Sequence, residues 1–230
     1  MKHFSLETRS HGFLSPYVIA EIGVNHEGSL DRAKRMIAGI AKSGAHAAKF
    51  QSYKADLLAT SKSSPAYWDQ SKEAATSQHE LFQRWDTFGE AEYQALAQEC
   101  GNCGIDFMST PFDLTAVDMV ADLSPTIKVA SADVTNIPLL RKIGARGLPT
   151  IMSTGASRFD EVQTALQELR KAGAGQIALL HCVLNYPTLP INAQLAQISQ
   201  LQKIFGDDCA IGYSDHVKPD DTGAMPALER

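Results

Sequence analysis

Short apolar segments rich in β-branched residues alternate with segments in which apolar residues recur every three or four positions. The first two apolar segments span residues 17–24 and 47–53, and residues 30–40 between them show the helical spacing. Residues 54–88 interrupt the alternation with a polar insertion, in which we expect short helices. Further strands are then predicted over residues 106–112, 126–133, 149–155, 176–186 and 209–216, with helical spacing between them.

The alternation of strand and helix predicts parallel strands that are joined by right-handed crossovers. Each predicted strand is apolar along most of its length, as expected for strands that helices cover on both faces. An open doubly wound sheet and a closed (β/α)8 TIM barrel both fit this pattern. Because the first strand lacks the glycine-rich loop of dinucleotide-binding open sheets, we expect an α/β chain with the (β/α)8 fold. Seven of its strands lie in a single domain over residues 1–230.

Polar side chains follow every predicted strand, at the point where the apolar run ends. The segment Val18–Gly28, VIAEIGVNHEG, begins as an apolar strand and ends in Glu, Asn, His and Glu. In a (β/α)8 barrel the C-terminal ends of the strands meet on the face that carries the active site. Burying so many polar groups without partners or a ligand would be costly, so we expect them to line one shared pocket.

Two lysines, Lys49 and Lys128, lie inside apolar strands, where a surface lysine would not be expected. The hydroxyl groups of Thr110, Ser131 and Ser153 are predicted at neighbouring strand ends. Ammonium and hydroxyl groups are donors that commonly hold phosphate or carboxylate. We therefore favour an anionic ligand over an internal salt bridge, and a Schiff-base lysine is a third possibility.

Two histidines, His181 and His216, are predicted at the ends of the sixth and seventh strands, and Asp215 precedes His216. Together with the carboxylates of Glu21 and Asp133, these side chains are the types that bind a divalent metal. A single histidine is more often satisfied by hydrogen bonds within the fold. The residue pattern alone leaves both explanations open.

The bulk composition is that of an ordinary globular protein. The chain has 230 residues, of which 44% are hydrophobic and 20% charged, and a formal net charge of −5. No basic stripe with interleaved aromatic residues indicates nucleic acid, and no apolar run reaches the ~18 residues of a membrane helix. The first residues lack the apolar block of a signal peptide. Because four cysteines do not make a disulfide scaffold, we expect a cytoplasmic protein.

Seven motifs resemble those of the N-acetylneuraminate (sialic acid) synthase family. In chain order they are AEIGVNHEGSL, KFQSYKADLLAT, STPFD, KVASADVTNIPLL, MSTGAS, LLHCVLNYPT and GYSDH. Each falls at the end of one predicted strand, and the match runs in order from about Val18 to His216. The resemblance implies a (β/α)8 barrel that condenses phosphoenolpyruvate with an open-chain N-acyl amino sugar, such as N-acetylmannosamine. Phosphate would be released by cleavage of the C–O bond.

The resemblance also implies roles for individual residues. Phosphoenolpyruvate would be bound by Lys49, Thr110, Lys128, Ser131, Ser153 and Ser214. The sugar would face Glu21, Gln51, Asp133 and Tyr186, and His181 and Asn185 are further substrate-binding candidates. Glu21 is the candidate for proton transfer, while Asp215 is a second catalytic candidate beside the metal ligand His216. The metal is expected to be Mn²⁺, with Mg²⁺ or Co²⁺ as alternatives, and would polarise the sugar aldehyde.

The resemblance covers less than a whole member of the family. Members continue with an eighth strand that ends in an EKHF-like motif, which holds a second histidine ligand, and with a small antifreeze-like domain. Residues 225–230, MPALER, are expected to begin the seventh helix. We therefore expect a fragment of a longer, homodimeric protein, and an isolated 230-residue chain that is unstable and inactive because its edge strands are unpaired.

Two other functions are compatible with the same residues. One is a class I aldolase that forms a Schiff base at Lys128 or Lys49. The other is a non-catalytic barrel that binds a phosphate or a sugar. A covalent adduct that borohydride traps would distinguish the aldolase from a synthase.

Overall fold

A computed structural model describes residues 4–6, 9–11, 16–62, 65–66, 70–71 and 73–219 of the chain. The chain divides into two compact units. One unit is Tyr17–Pro125, and the other combines Met1–Pro16 with Thr126–Arg230. Within the described ranges, no helix is long and apolar enough to cross a membrane.

The first two strands form an antiparallel hairpin that the hydrophobic pattern did not predict. Strand β1 is Phe4–Leu6 and strand β2 is Arg9–His11, with Phe4 opposite His11. Each strand has only three residues, too few for an alternating pattern to be recognised. The hairpin belongs to the unit that also contains residues 126–230.

The unit Tyr17–Pro125 is built on a three-stranded parallel sheet in the order β3-β4-β5. Its strands are β3 (Ile19–Gly23), β4 (Ala47–Ser52) and β5 (Asp106–Pro111). Its helices are α1 (Leu30–Lys42), α2 (Ala55–Leu58), α3 (Gln78–Trp85), α4 (Glu90–Asn102) and α5 (Ala116–Leu123). The short helices α2 and α3 fall in the insertion, as predicted.

The core of this unit lies on one face of the sheet. Alternate strand residues, including Ile22, Phe50 and Phe107, pack against the apolar sides of α1 and α4. Helix α1 contributes Ala33 and Ile37, which are fully buried. Because successive strand residues point to opposite faces, the residues between these core positions project from the other face of the sheet.

The second unit contains a four-stranded parallel sheet in the order β6-β7-β8-β9. Its strands are β6 (Ile127–Val129), β7 (Thr150–Ser153), β8 (Ile177–Cys182) and β9 (Ala210–Ser214). Its helices are α6 (Ile137–Gly144), α7 (Phe159–Ala172) and α8 (Ala196–Phe205). Two 3₁₀ turns, Ser131–Asp133 and Pro190–Asn192, follow β6 and β8.

Two predicted strands are too long. The strand predicted over 126–133 ends at Val129, because the backbone N–H of Asp133 bonds back to Ala130 O and closes a 3₁₀ turn. The strand predicted over 176–186 ends at Cys182, and the N–H of Asn185 bonds back to Val183 O. The helix that we expect at residues 225–230 lies outside the described residues.

Candidate active site

Lys128 is the most deeply buried charged side chain of the predicted site, with 5% of its surface exposed. Its Nζ donates hydrogen bonds of 2.7 Å to Val129 O and to Ser153 Oγ. Burial lowers the pKa of Lys128 to about 8, although the neighbouring Cys182 and Asp133 oppose this change. An ammonium group has three hydrogens, so the two bonds to neutral oxygens leave one for a ligand.

The Ser131 hydroxyl is held by the loop that follows β7. Its Oγ accepts a hydrogen bond of 2.9 Å from the backbone N–H of Gly155, so its own hydrogen can be donated elsewhere. A Cβ at Gly155 would lie 3.0 Å from Ser131 Oγ and 3.1 Å from Cys182 O. Glycine therefore allows the loop to approach Ser131 this closely.

The register of the four-stranded sheet shows which side chains share a face. Lys128 pairs with Ile151, two residues before Ser153, and Cys182 pairs with Ser214. Since Ser153 pairs with Leu180, two residues before Cys182, all these positions project from one face of the sheet. Lys128, Ser153 and Ser214, all predicted to bind phosphoenolpyruvate, are thus on the same face as Cys182.

His181 lies on the opposite face of the sheet. Its Nε2 forms a hydrogen bond of 2.8 Å with Ala193 O, and its ring stacks on Tyr213 with centroids 5.6 Å apart. His181 is 5% exposed and alternates with Leu180 and Cys182 along β8. This position does not support the predicted contact of His181 with substrate, because the strand alternation points it away from Lys128.

His216 is anchored through one of its two ring nitrogens. Nδ1 lies 2.8 Å from Val183 O and 3.6 Å from Cys182 Sγ. The shorter contact requires Nδ1 to be the donor, which leaves Nε2 for another ligand. Burial opposes protonation of His216, but its contacts with Cys182 and Val183 outweigh burial and raise its pKa. The centroid of the Tyr186 ring lies 4.2 Å from the centroid of the His216 ring.

Asp215, the catalytic candidate that precedes His216, bonds to Tyr213 and Val217. Its Oδ1 accepts hydrogen bonds from Tyr213 OH at 2.8 Å and from the N–H of Val217 at 2.9 Å. Its Oδ2 is buried and has no hydrogen-bond partner. A buried carboxylate oxygen without a donor is costly, so this atom is suited to accept a hydrogen bond from a ligand or from ordered water.

The donor set of this unit fits part of a divalent metal site. His216 has a free Nε2 and an anchored Nδ1, the arrangement common to metal-binding histidines. In the part of the chain that the structure describes, no group of three or more His, Cys, Asp or Glu side chains could hold a metal ion. His216 is therefore suited to be one ligand of such a site.

In the unit Tyr17–Pro125, the predicted residues share the face of the sheet opposite the core. Glu21 pairs with Lys49 in register, and Gln51 pairs with Thr110. Lys49 Nζ forms an ion pair with Glu21 Oε2, with 13% of the Lys49 side chain exposed and 44% of that of Glu21. For Lys49 the structure thus shows the internal salt bridge that the sequence pattern made the less favoured alternative.

The remaining predicted substrate contacts lie in turns and loops. Asp133 is in the 3₁₀ turn after β6, where burial raises its pKa against the effects of Asn136 and Lys128. Asn185 and Tyr186 lie in the loop after β8, and 64% of the Tyr186 surface is exposed. The sequence analysis did not select Cys182 or Gly155, which lie beside Lys128 and Ser131. The alternation of side chains along β8 could have indicated Cys182, because it places Cys182 on the same face as Leu180.

The comparison with known families decides the classification. The model of the NeuB family matches residues 36–227. The chain belongs to the NeuB family. The resemblance to sialic acid synthases that the strand-end motifs indicated is therefore confirmed.

Two relatives of this NeuB-family chain are named as synthases. The N,N'-diacetyllegionaminic acid synthase of Campylobacter jejuni is 39% identical over 206 residues, which are 87% of this chain and 60% of that protein. The N-acetylneuraminate-9-phosphate synthase of Drosophila melanogaster is 36% identical over a match that covers 88% of this chain and 54% of that protein. The chain thus spans little more than half the length of these relatives.

A solved structure supports the fold. The crystal structure of N-acetylneuraminic acid synthetase from Leptospira borgpetersenii, in complex with citrate, has 31% sequence identity and a TM-score of 0.80. The match covers 96% of this chain and 73% of the Leptospira chain. This match confirms the predicted fold class, the α/β (β/α)8 barrel, and the described residues of the NeuB-family chain form seven parallel strands in two sheets.

Proposed function

We propose that this NeuB-family chain is part of an enzyme that condenses phosphoenolpyruvate with an N-acyl amino sugar. The products would be a sialic or related nonulosonic acid and phosphate. The observation that carries the proposal is the buried Lys128 ammonium, which has neutral hydrogen-bond partners. The names of the Campylobacter and Drosophila relatives support a sugar-acid product.

Lys128 and its neighbours suit an anion with several oxygens. Its third ammonium hydrogen, the Ser131 hydroxyl and the Ser214 hydroxyl would donate to the phosphate or carboxylate of phosphoenolpyruvate. Ser153 holds the ammonium from the neighbouring strand. Because the site is buried, a charge-assisted hydrogen bond there is stronger than it would be in water. The bound anion would also favour the charged form of Lys128.

The proposed reaction balances without a redox partner. C3 of phosphoenolpyruvate forms a bond to the aldehyde carbon of the open-chain sugar, and the aldehyde oxygen gains a proton to become a hydroxyl. Water adds at C2, and cleavage of the C2–O bond releases phosphate and leaves the 2-keto acid. A divalent metal bound at His216 would polarise the aldehyde oxygen as a Lewis acid.

Glu21 is the proposed proton-transfer group, and Lys49 controls its availability. In the structure the Glu21 carboxylate is ion paired with the Lys49 ammonium. An anionic substrate would compete for the same ammonium and release Glu21 Oε2 to exchange a proton. This sequence of contacts reconciles the observed salt bridge with the anion-binding role that we predict for Lys49. Gln51 and Thr110 would add polar contacts from the same face of the sheet.

A Schiff-base aldolase is the second candidate function, and one observation favours it. The pKa of Lys128 is about 8, so a fraction of this lysine is neutral and nucleophilic near neutral pH. An aldolase would use the Lys128 nitrogen to form a covalent imine with a carbonyl substrate. The synthase would use the same group only as a cation.

The test is an assay of phosphate release by the full-length protein, including any sequence encoded beyond residue 230. Phosphoenolpyruvate is supplied with N-acetylmannosamine and with diamino and deoxy analogues, in the presence of Mn²⁺, Mg²⁺ or Co²⁺. We expect phosphate only when phosphoenolpyruvate and a suitable sugar are both present. A borohydride-trapped adduct at Lys128 would support the aldolase, and binding without turnover would support a non-catalytic barrel. A cytoplasmic location and a homodimer remain predictions from the sequence.

A further inference from the structure

The loop after β8 carries Tyr186, predicted to face the sugar, and Asn185, predicted to bind substrate, outside any helix or strand. From residue 184 to residue 192 every residue is exposed except Thr188, which is 1% exposed. A single buried threonine in an exposed loop needs a reason, because a buried hydroxyl must be hydrogen bonded.

Thr188 is bonded in two directions. Its Oγ1 donates a hydrogen bond of 2.8 Å to Asn185 O, three residues earlier in the same loop. Its backbone N–H donates a hydrogen bond of 2.8 Å to His216 O, and Thr188 forms a parallel bridge with Val217. Thr188 thereby connects the loop after β8 to the segment after β9.

The two connections hold the sugar-facing loop against His216. The bond to Asn185 O closes the turn that contains Asn185 and Tyr186, and the bond to His216 O fixes that turn beside the proposed metal ligand. The ring contact of 4.2 Å between Tyr186 and His216 is consistent with this arrangement. We propose that Thr188 is a positioning residue, which sets Asn185 and Tyr186 for the sugar; this inference rests on the proposed function.

The side-chain bond can be removed with little change of shape. Thr188→Val replaces the hydroxyl with a methyl group and leaves the backbone bond to His216 O in place. Thr188→Ser keeps the hydroxyl and removes only a methyl group. We expect Thr188→Val to raise KM for the sugar roughly five- to tenfold, the factor associated with one neutral hydrogen bond. KM for phosphoenolpyruvate should change by less than about twofold, since Lys128 and Ser153 are untouched.

Thr126 offers a matched control. It is fully buried at the start of β6, and its Oγ1 donates a hydrogen bond of 2.7 Å to Pro149 O. Thr126→Val therefore removes a buried threonine-to-carbonyl hydrogen bond of the same kind at the N-terminal end of the sheet. We expect this control to lower the melting temperature and to leave both KM values unchanged, because active sites of this fold lie at the C-terminal ends of strands.

The experiment measures KM for both substrates and the melting temperature for the full-length wild type and these variants. A raised sugar KM in Thr188→Val alone, with wild-type values in Thr188→Ser and Thr126→Val, supports the inference. An unchanged sugar KM in Thr188→Val, or equal rises for both substrates, overturns it. A raised sugar KM in Thr188→Ser overturns the inference as well. If Thr188→Val does not fold, Thr188→Ala is measured in its place, with the same expected result. A wild type that never releases phosphate overturns the proposed function first, and the inference with it.

Discussion

Lys128 in β6 donates a hydrogen bond of 2.7 Å to Ser153 at the end of β7. The bond crosses between neighbouring strands and holds the ammonium beside a hydroxyl instead of a carboxylate. A buried cation without a carboxylate partner is costly to keep charged, which lowers the pKa of Lys128. An anionic ligand would remove that cost, so the Lys128–Ser153 pair is the strongest structural support for an anion site.

The two strand lysines should both be needed for activity. We expect Lys128→Ala or Lys49→Ala in the full-length protein to lower kcat/KM for phosphoenolpyruvate by at least about 100-fold, as for other groups that stabilise developing charge. Lys203→Ala is the control, because Lys203 is exposed on α8. Initial-rate measurements of phosphate release test this. Wild-type kinetics in both variants would show that the anion site is wrongly placed.

The activity should depend on pH through Lys128. Its pKa is about 8, so the Lys128 side chain is charged below that pH and loses its charge as the pH rises through it. We expect kcat/KM for phosphoenolpyruvate to fall above pH 8 by roughly tenfold per pH unit, since this ratio reports the ionisation of the free enzyme. Ser153→Ala removes a hydrogen-bond acceptor from the ammonium and should shift the fall to lower pH. A flat profile from pH 7 to about pH 10 would contradict the role of Lys128.

A side chain at Gly155 should force its neighbours to shift. A Cβ there would lie 3.0 Å from Ser131 Oγ and 3.3 Å from Cys182 Sγ. We expect Gly155→Ala to destabilise the protein by about 1–3 kcal/mol through overpacking and to weaken phosphoenolpyruvate binding by displacing Ser131. Gly39→Ala is the control: nothing lies within 4 Å of a Cβ there, and alanine in a helix should stabilise by about 0.5–1 kcal/mol. Denaturant unfolding of both variants measures the contrast, and equal effects would contradict the packing argument.

Asp215 should influence the metal without being needed for folding. Its Oδ1 accepts two hydrogen bonds that an asparagine oxygen can also accept, whereas its buried Oδ2 has no partner. Oδ2 would accept a hydrogen bond from metal-held water, which the amide nitrogen of an asparagine in that position could not do. We therefore expect Asp215→Asn to raise the Mn²⁺ concentration for half-activation by roughly 10- to 100-fold and to keep a cooperative thermal melt. Asp160→Asn, an exposed carboxylate on α7, is the control. Free Mn²⁺ measured by electron paramagnetic resonance gives a readout that does not depend on turnover. Unchanged Mn²⁺ affinity would remove Asp215 from the proposed site.

The sequence predicted those parts of the fold that strong patterns determine. Strand β4 was predicted over 47–53 and is found at Ala47–Ser52. Its apolar residues need to be buried, and this requirement does not depend on the conformation of the loops. Helix α1 was predicted from Leu30 because its apolar residues recur at helical spacing, and Ser29 caps it by accepting a hydrogen bond from the Arg32 N–H at its Oγ. Strand ends were less predictable, because a backbone hydrogen bond such as Asp133 N to Ala130 O leaves no mark in hydrophobicity.

The site was predicted less completely than the fold. Lys128 and Ser153 could be found because a lysine and a strand-end serine are unusual next to apolar residues. The Glu21–Lys49 ion pair could not be chosen over an anion site, since both require the same residue types. His181 was placed with the substrate through the resemblance of the motifs, but the face of a strand residue depends on register. Thr188 carried no signal, because its two partners are backbone oxygens.

The central claim, condensation with cleavage of the C–O bond of phosphoenolpyruvate, can be measured with one isotope. Phosphoenolpyruvate labelled with oxygen-18 in the bridge between C2 and phosphorus is turned over with the sugar that gives the highest rate of phosphate release. Mass spectrometry then follows the label in phosphate and in the sugar acid. We expect the oxygen-18 in the released phosphate and an unlabelled keto oxygen derived from water. Oxygen-18 retained in the sugar acid would mean that the P–O bond breaks instead, and would contradict the mechanism that we propose for this chain.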